Sequence, residues 1–305
     1  MLKTKTSAFT AIRLTTSTFL VKETNDIFEE HPHIYVKLVP SSNTVLVIDT
    51  GCGGQSNDED VEITSLREFI ETFPVIDNNG KPLNPGGSMK YVVATTHCHY
   101  DHILAVEQFH DSMILASSHS TSFLSEGKIP EHSLCNFLGI KTPVYSPTLV
   151  PHNFTIHSPD HIKTSLGVQV LHTPGHTPDE IALYDSTERM LYVGDTLYED
   201  APIIFPKEGS IVIWLASIEF LVSFVQSNQV GGEIMLNAGH CTAKQAALET
   251  LQSAKIFILD VVEGREPVKG RTTKRGEETV EYRQVGGRYS LICPERLVLE
   301  AKRVL

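Results

Sequence analysis

Thr96-His97-Cys98-His99-Tyr100-Asp101-His102 is the stretch on which the fold turns. It follows the apolar, β-branched run Tyr91–Thr95, which reads as a strand ending in polar residues. In an extended continuation His97, His99 and Asp101 project to one side by the two-residue period, and His102 turns in from a helix beginning near it. Accident would produce an H-x-H-x-D-H pattern in about one chain in a thousand of this composition. Three imidazoles and a carboxylate packed so closely without a cation would leave many polar groups to satisfy, so metal ligation explains them better than a histidine core.

Working outward, strands are expected at Ile34–Val39 and Val45–Asp49 before the motif, and at Val168–Leu171, Ile181–Tyr184, Met190–Val193 and Ile234–Leu236 after it. Leu66, Phe69, Ile70 and Phe73 recur at helical spacing until Pro74 stops them. A later helix has Thr242 and Gln245 in capping-box positions, carries Leu248, Leu251 and Leu259, and meets Gly264 as a stop. Strands, helices, strands and helices in this order imply an α/β fold with sheets covered by helices outside, and an αββα four-layer sandwich satisfies that need. One catalytic unit is expected over 1–305, with a cap or insertion at 127–160 and a C-terminal excursion at 264–305. The Gly-, Lys-, Arg- and Glu-rich part from Gly264 to Gly287 reads as a solvated loop before a last strand near Tyr289–Ile292.

Further motifs follow in order. Val45-Leu46-Val47-Ile48-Asp49-Thr50-Gly51 ends an early strand, and Leu171-His172-Thr173-Pro174-Gly175-His176-Thr177 ends a later one. Tyr192-Val193-Gly194-Asp195-Thr196-Leu197 and Ala238-Gly239-His240 complete the series. Together with the first motif they resemble the metallo-β-lactamase superfamily. The resemblance implies that His97, His99 and His176 hold one metal, that Asp101, His102 and His240 hold another, and that Asp195 spans both. Asp49 then supports the ligands without being one, and His172 is structural. Nitrogen and carboxylate donors suit two zinc ions, with iron or manganese compatible. In such a site a metal-bridging hydroxide attacks a carbonyl, and Asp101 shuttles a proton to the leaving group.

A net charge of −12 over 305 residues gives no attraction for phosphate backbones or anionic membranes, so nucleic acid and membrane are not expected partners. Five scattered cysteines without a C-x-x-C pair fit neither a disulfide framework nor a thiolate zinc site, and point to a reducing, cytoplasmic setting. The basic, Ser/Thr-rich N-terminus shares the composition of a mitochondrial presequence, but Phe9, Ile12, Leu14, Phe19 and Val21 among threonines read as opening strands. Ile211–Val225 is too short for a bilayer span of about 20 residues and contains Glu219, so it reads as a core helix or a homodimer face.

Packing is the commoner role of buried tyrosines, and Tyr100 and Tyr198 are the candidate substrate-binding phenols, able to donate to a developing oxyanion. Cys98 points away from the metals by alternation, and Trp214 packs a helix on a sheet. His110, His119, His132, His152, His157 and His161 are read as surface or loop residues. Class B β-lactamases lack an aspartate at the bridging position, and flavodiiron members usually have Glu where His99 stands, so neither penicillin hydrolysis nor that redox chemistry fits. The expected substrate is a small acyl compound. Ring opening of a lactone or lactam, in xenobiotic detoxification, leads, as in fungal γ-lactamases that open benzoxazolinone rings. A glyoxalase II-like thioester hydrolase, a mononuclear iron persulfide dioxygenase and a non-catalytic scaffold are the alternatives.

Overall fold

The computed structural model describes residues 5–160 and 164–305, so His161 lies outside the described residues. Two compact units divide the chain, Met1–Gln169 and Val170–Leu305. The first unit is built on a seven-stranded sheet of β1 (Phe9–Arg13), β2 (Thr18–Glu23), β3 (His33–Val39), β4 (Thr44–Ile48), β5 (Lys90–Ala94), β6 (Met113–Ser117) and β7 (Thr148–Val150), in chain order. β1 to β4 are antiparallel and β4 to β7 parallel. The opening residues 9–23 thus form strands, as their threonine-spaced apolar residues imply. On one face α1 (Leu66–Thr72) starts where Ser65 accepts the Glu68 N–H at 3.2 Å, and it buries Leu66, Phe69 and Ile70 against Phe9, Val47 and Val93.

Parallel register sets up the site. Ile48 of β4 lies opposite Ala94 of β5, and the Asp49 N–H donates to the Ala94 carbonyl at 2.9 Å. Both strands therefore end at one level, with Asp49 beside Thr96. The expected extension of the strand through Asp101 is not what forms: β5 ends at Ala94, the chain bends at Thr96 and His97, and one helical turn, α2 (Tyr100–Ile103), carries Asp101 and His102. A helical turn offsets neighbours by about 100° where a strand sends them to opposite faces, which lets consecutive ligands converge.

The segment read as a cap is woven into the unit. It holds the short helices α3 (Ile129–His132) and α4 (Cys135–Leu138), then β7 on the sheet edge, then β8 (Thr155–His157), which pairs antiparallel with the start of β9 (Ser165–His172). The boundary between the units falls inside β9.

The second unit continues from the end of β9 through β10 (Ile181–Asp185), β11 (Met190–Tyr192), β12 (Pro202–Ile204), α5 (Ile211–Asn228), β13 (Met235–Asn237), β14 (Gln245–Ala246) and α6 (Ala247–Val262). Tyr192 of β11 lies opposite Asn237 of the parallel β13, so the Gly194-Asp195 and Gly239-His240 segments leave adjacent strands together. α5 is the one helix among the described residues that is long and apolar enough to cross a membrane, by length and composition alone. Its Ile211, Trp214, Leu215, Ile218, Leu221 and Val225 join Leu251, Phe257 and Ile258 of α6 in the unit's core.

Two expectations fail here. Gln245 is in β14 and α6 begins after Ala246 with no side-chain cap, so the capping box does not form; Thr242 instead accepts the Glu199 N–H at 2.7 Å. Gly264 does stop the helix, with φ +79° and its N–H on the Val261 carbonyl. The stretch Gly264–Gly287 is no solvated loop: β15 (Val268–Lys274) and β16 (Glu277–Arg283) form a hairpin. They complete a four-stranded sheet with β17 (Ser290–Pro294) and β12, followed by α7 (Glu295–Val304). Only Val280 and Tyr282 of the hairpin enter the core, so its apolar alternation is too sparse to announce a strand.

At the end of β2 the buried Glu23 accepts the Gly54 N–H at 3.1 Å and fastens the loop after β4. A Cβ at Gly51 would stand 2.1 Å from Glu23 Oε1, and φ is +74° there, so glycine is required. Burial pushes the Glu23 carboxyl up to about 8 from 4.5, with the Gly54 N–H opposing and the Asp26 charge adding to the rise. A folded-state value above the unfolded one means stability present in acid is lost as pH rises from about 4.5 through 8. Urea midpoints between pH 5 and 9 should therefore fall more steeply for wild type than for Glu23→Gln, and parallel profiles would refute this. On α6, Phe257→Ala should cost about 3–5 kcal/mol. Ile256→Ala, on the exposed side of the same turn, should stay within about 0.5 kcal/mol of wild type by denaturant unfolding.

Candidate metal centre

In the first unit the donors gather around Asp49, which sits at the end of β4 with φ +61°. Asp49 Oδ1 accepts the Thr96 N–H at 2.7 Å, while Oδ2 accepts the Thr96 hydroxyl at 2.8 Å and faces His102 Nδ1 at 2.8 Å. The Thr50 N–H and hydroxyl both donate to the His102 carbonyl, at 2.8 and 2.9 Å. With Nδ1 engaged by a carboxylate, His102 presents Nε2 as its ligand atom.

That Nε2 lies 3.4 Å from Asp101 Oδ2, and His97 Nε2 lies 3.0 Å from His99 Nδ1. Two donors of one tetrahedral zinc at about 2.0–2.1 Å stand roughly 3.3 Å apart. The unit thus offers two pairs of donors, each spaced for one cation, and all four residues are buried. Cys98 packs the other way, with Ala116, Phe123 and Leu124.

Tyr100 is drawn into structural contacts: its N–H donates to the Ser133 carbonyl, its hydroxyl donates to Glu30, and its ring packs with Phe28, Cys52 and Cys135. Burial pushes its phenol far up, the charges of Asp101 and Glu30 adding, so it is a neutral proton donor. Among the other histidines, His110, His119 and His152 are exposed, as read, whereas His132 and His157 are half-buried, in α3 and β8.

In the second unit three loops carry the donors. His176 Nδ1 donates to the Ile204 carbonyl at 2.7 Å, which leaves Nε2 as its ligand atom. Asp195 divides its oxygens: Oδ2 lies 3.8 Å from His176 Nε2 and Oδ1 lies 3.7 Å from His240 Nε2. A carboxylate with one oxygen toward each of two imidazoles is disposed to bridge. Tyr198 stands edge-on to the His240 ring, centroids 5.5 Å apart.

α5 braces these loops. Ser210, its N-cap, donates its N–H to the Gly175 carbonyl, Trp214 Nε1 donates to the Thr196 carbonyl at 2.6 Å, and Ser217 donates to the Pro174 carbonyl. Gly175, at φ +153°, lies so close to the helix that a Cβ would stand 2.5 Å from the Trp214 Cα. Trp214 therefore packs helix to sheet, as read, and also ties two ligand loops together.

The sequence reading missed two supports, the Ile204 carbonyl and the fully buried Glu180, whose Oε1 accepts the Asp195 N–H at 2.8 Å. A backbone carbonyl leaves no signature in sequence. Glu180 did leave one: an acid heading the apolar strand Ile181–Tyr184, four residues after His176.

Residues 34–232 match the metallo-beta-lactamase superfamily. The chain is 34% identical to a protein of Aspergillus versicolor named as a candidate transcription factor, avaE, over 97% of this chain and 89% of the relative. It is 24% identical to the acyl-coenzyme A thioesterase MBLAC2 of Homo sapiens, over 67% of this chain and 72% of that one. In structure it is similar to a metallo-beta-lactamase family protein of Thermus thermophilus, with a TM-score of 0.57 at 16% identity over 86% of each chain. It is also similar to the DIM-1 metallo-beta-lactamase, with a TM-score of 0.53 at 15% identity over 82% of this chain and 97% of that one. The fold is the α/β sandwich of these proteins, its buried His and Asp residues are of the kind that could hold a metal ion, and the chain belongs to the metallo-beta-lactamase superfamily.

Proposed function

We propose that this protein is a two-metal hydrolase of small acyl compounds, in which His97, His99 and His176 hold one divalent cation, Asp101, His102 and His240 hold the other, and Asp195 is shared. The observation that carries this reading is the split of the Asp195 oxygens between His176 and His240. The two donor pairs of the first unit, and membership of a superfamily that is typically hydrolytic, support it.

Bound there, two zinc ions, or iron or manganese, supply Lewis acidity and a water acidic enough to lose a proton near neutral pH. The chain's own residues do the rest. Asp49 and the Ile204 carbonyl hold His102 and His176 in the tautomer that ligates. Asp101, through the carboxylate oxygen that does not face His102, takes up a proton from the attacking water and returns it to the departing atom of the substrate. The buried Tyr198 is placed near His240 to donate to the substrate's acyl oxygen, a role its packing on that ring also constrains.

The bond cleaved is a lactone, a lactam or a thioester. The name of the human relative favours the thioester, and the resemblance to ring-opening members favours the cyclic substrates. The fungal relative's name suggests a role in transcription; a net charge of −12 and a full set of donors weigh against that as the chain's own activity. Cys52, Cys98, Cys135 and Cys293, all buried thiols, suit a reducing compartment.

Metal analysis coupled to a panel of lactones, lactams and acyl thioesters tests this. Two metal equivalents per chain, with hydrolysis lost on chelation and restored by zinc, are expected; full activity after exhaustive chelation would sink the reading. Iron content with oxygen consumption would point to the dioxygenase instead. Asp101→Asn should lower kcat by about 10²–10⁴-fold while leaving thermal stability near wild type, and unchanged turnover removes the proton-transfer role. Asp49→Asn should weaken zinc binding by about 10–100-fold in competition with a chromogenic chelator.

A further inference from the structure

We infer that Glu180 is the positioning residue for Asp195, holding the backbone of that carboxylate so that its two oxygens serve two cations evenly; this rests on the two-metal reading. Glu180 immediately precedes β10 and is fully buried. Its carbonyl accepts the Thr173 N–H at 3.0 Å and its own N–H donates to the Thr177 carbonyl, which closes the loop that carries His176. Its side chain reaches the other loop: Oε1 accepts the Asp195 N–H at 2.8 Å and the Thr196 hydroxyl at 3.3 Å. One residue therefore fixes the spacing between two ligands drawn from different loops.

The need for such a residue is local. The peptide preceding Asp195 lies in a buried turn beyond the end of β11, where Thr196 donates back to the Val193 carbonyl and the Gly239 N–H closes on the Gly194 carbonyl. The Asp195 N–H, beyond the strand ladder, is satisfied in that turn by Glu180. The Asp195 oxygens stand at near-equal distances, 3.8 and 3.7 Å, from its two histidines. A rotation of the peptide by a few degrees would favour one side at the other's expense.

Reach and charge are separable by substitution. Glu180→Asp keeps the charge and withdraws the oxygen from the Asp195 N–H, whereas Glu180→Gln keeps an acceptor oxygen at the same reach and drops the charge. The full chain, stripped by chelation, is titrated with cobalt(II), with stoichiometry and visible absorption as readouts, and with zinc against a chromogenic chelator. Melting curves of the stripped proteins report folding separately.

Wild type should take up two ions. Glu180→Asp should weaken the more loosely held ion by about 10–100-fold and change the cobalt spectrum, and Glu180→Gln should stay close to wild type. If wild type takes two ions and Glu180→Asp matches it in both affinities and in spectrum, the inference is overturned while the two-metal reading stands, even if melting is lowered. If wild type takes fewer than two, the two-metal reading fails and the inference with it.

Discussion

Imidazoles and carboxylates leave water at a cost of several kcal/mol each unless every one of them is hydrogen-bonded or bound to a cation. His97, His99, Asp101 and His102 are all buried at the end of one sheet, and Asp49 is buried among them. The folded chain meets that cost by making the supports as polar as the ligands. Asp49 takes hydrogen bonds from two neighbours at once, and Thr50 holds the carbonyl of the histidine that Asp49 orients. The register of β4 against β5 is what puts Asp49 within reach, so the pairing of two apolar strands fixes the tautomer of an imidazole.

The second unit solves the same problem with different parts. Its donors come from loops after β9, β11 and β13, braced by a helix as well as by the Glu180 carboxylate. Trp214 and Ser217 bond to backbone carbonyls of two loops, and Gly175 has no side chain because α5 occupies that space. Packing and ligation are inseparable here: residues that fill the core also set where His176 and Asp195 stand.

Legibility followed density of signal. His97 to His102 concentrates four donors in six residues, and the strand before it is apolar and β-branched, so both fold and ligands could be read there. α1 was equally plain, because a helical apolar stripe and a following Pro agree. The hairpin of β15 and β16 was not, since a strand with one face in water and few core contacts looks like a loop. The helical turn at Tyr100–Ile103 was expected to begin near His102, with Asp101 still extended, for another reason. Strand periodicity extrapolates well until two adjacent side chains must face the same way, and no local pattern announces that demand. Glu180 was passed over because an acid before an apolar run is usually a turn residue, and its burial is a tertiary fact.

β15 has a consequence beyond the sheet it completes. It is an open edge, and six of its seven residues are exposed, with Lys269, Arg271 and Lys274 along it and Arg271 clasped by Glu295. An incoming strand from another chain would have to strip water from those cations before it could pair with the backbone. The same hydrophilic character that hid this strand from a reading of the sequence protects the newly made chain from amyloid-like growth at that border.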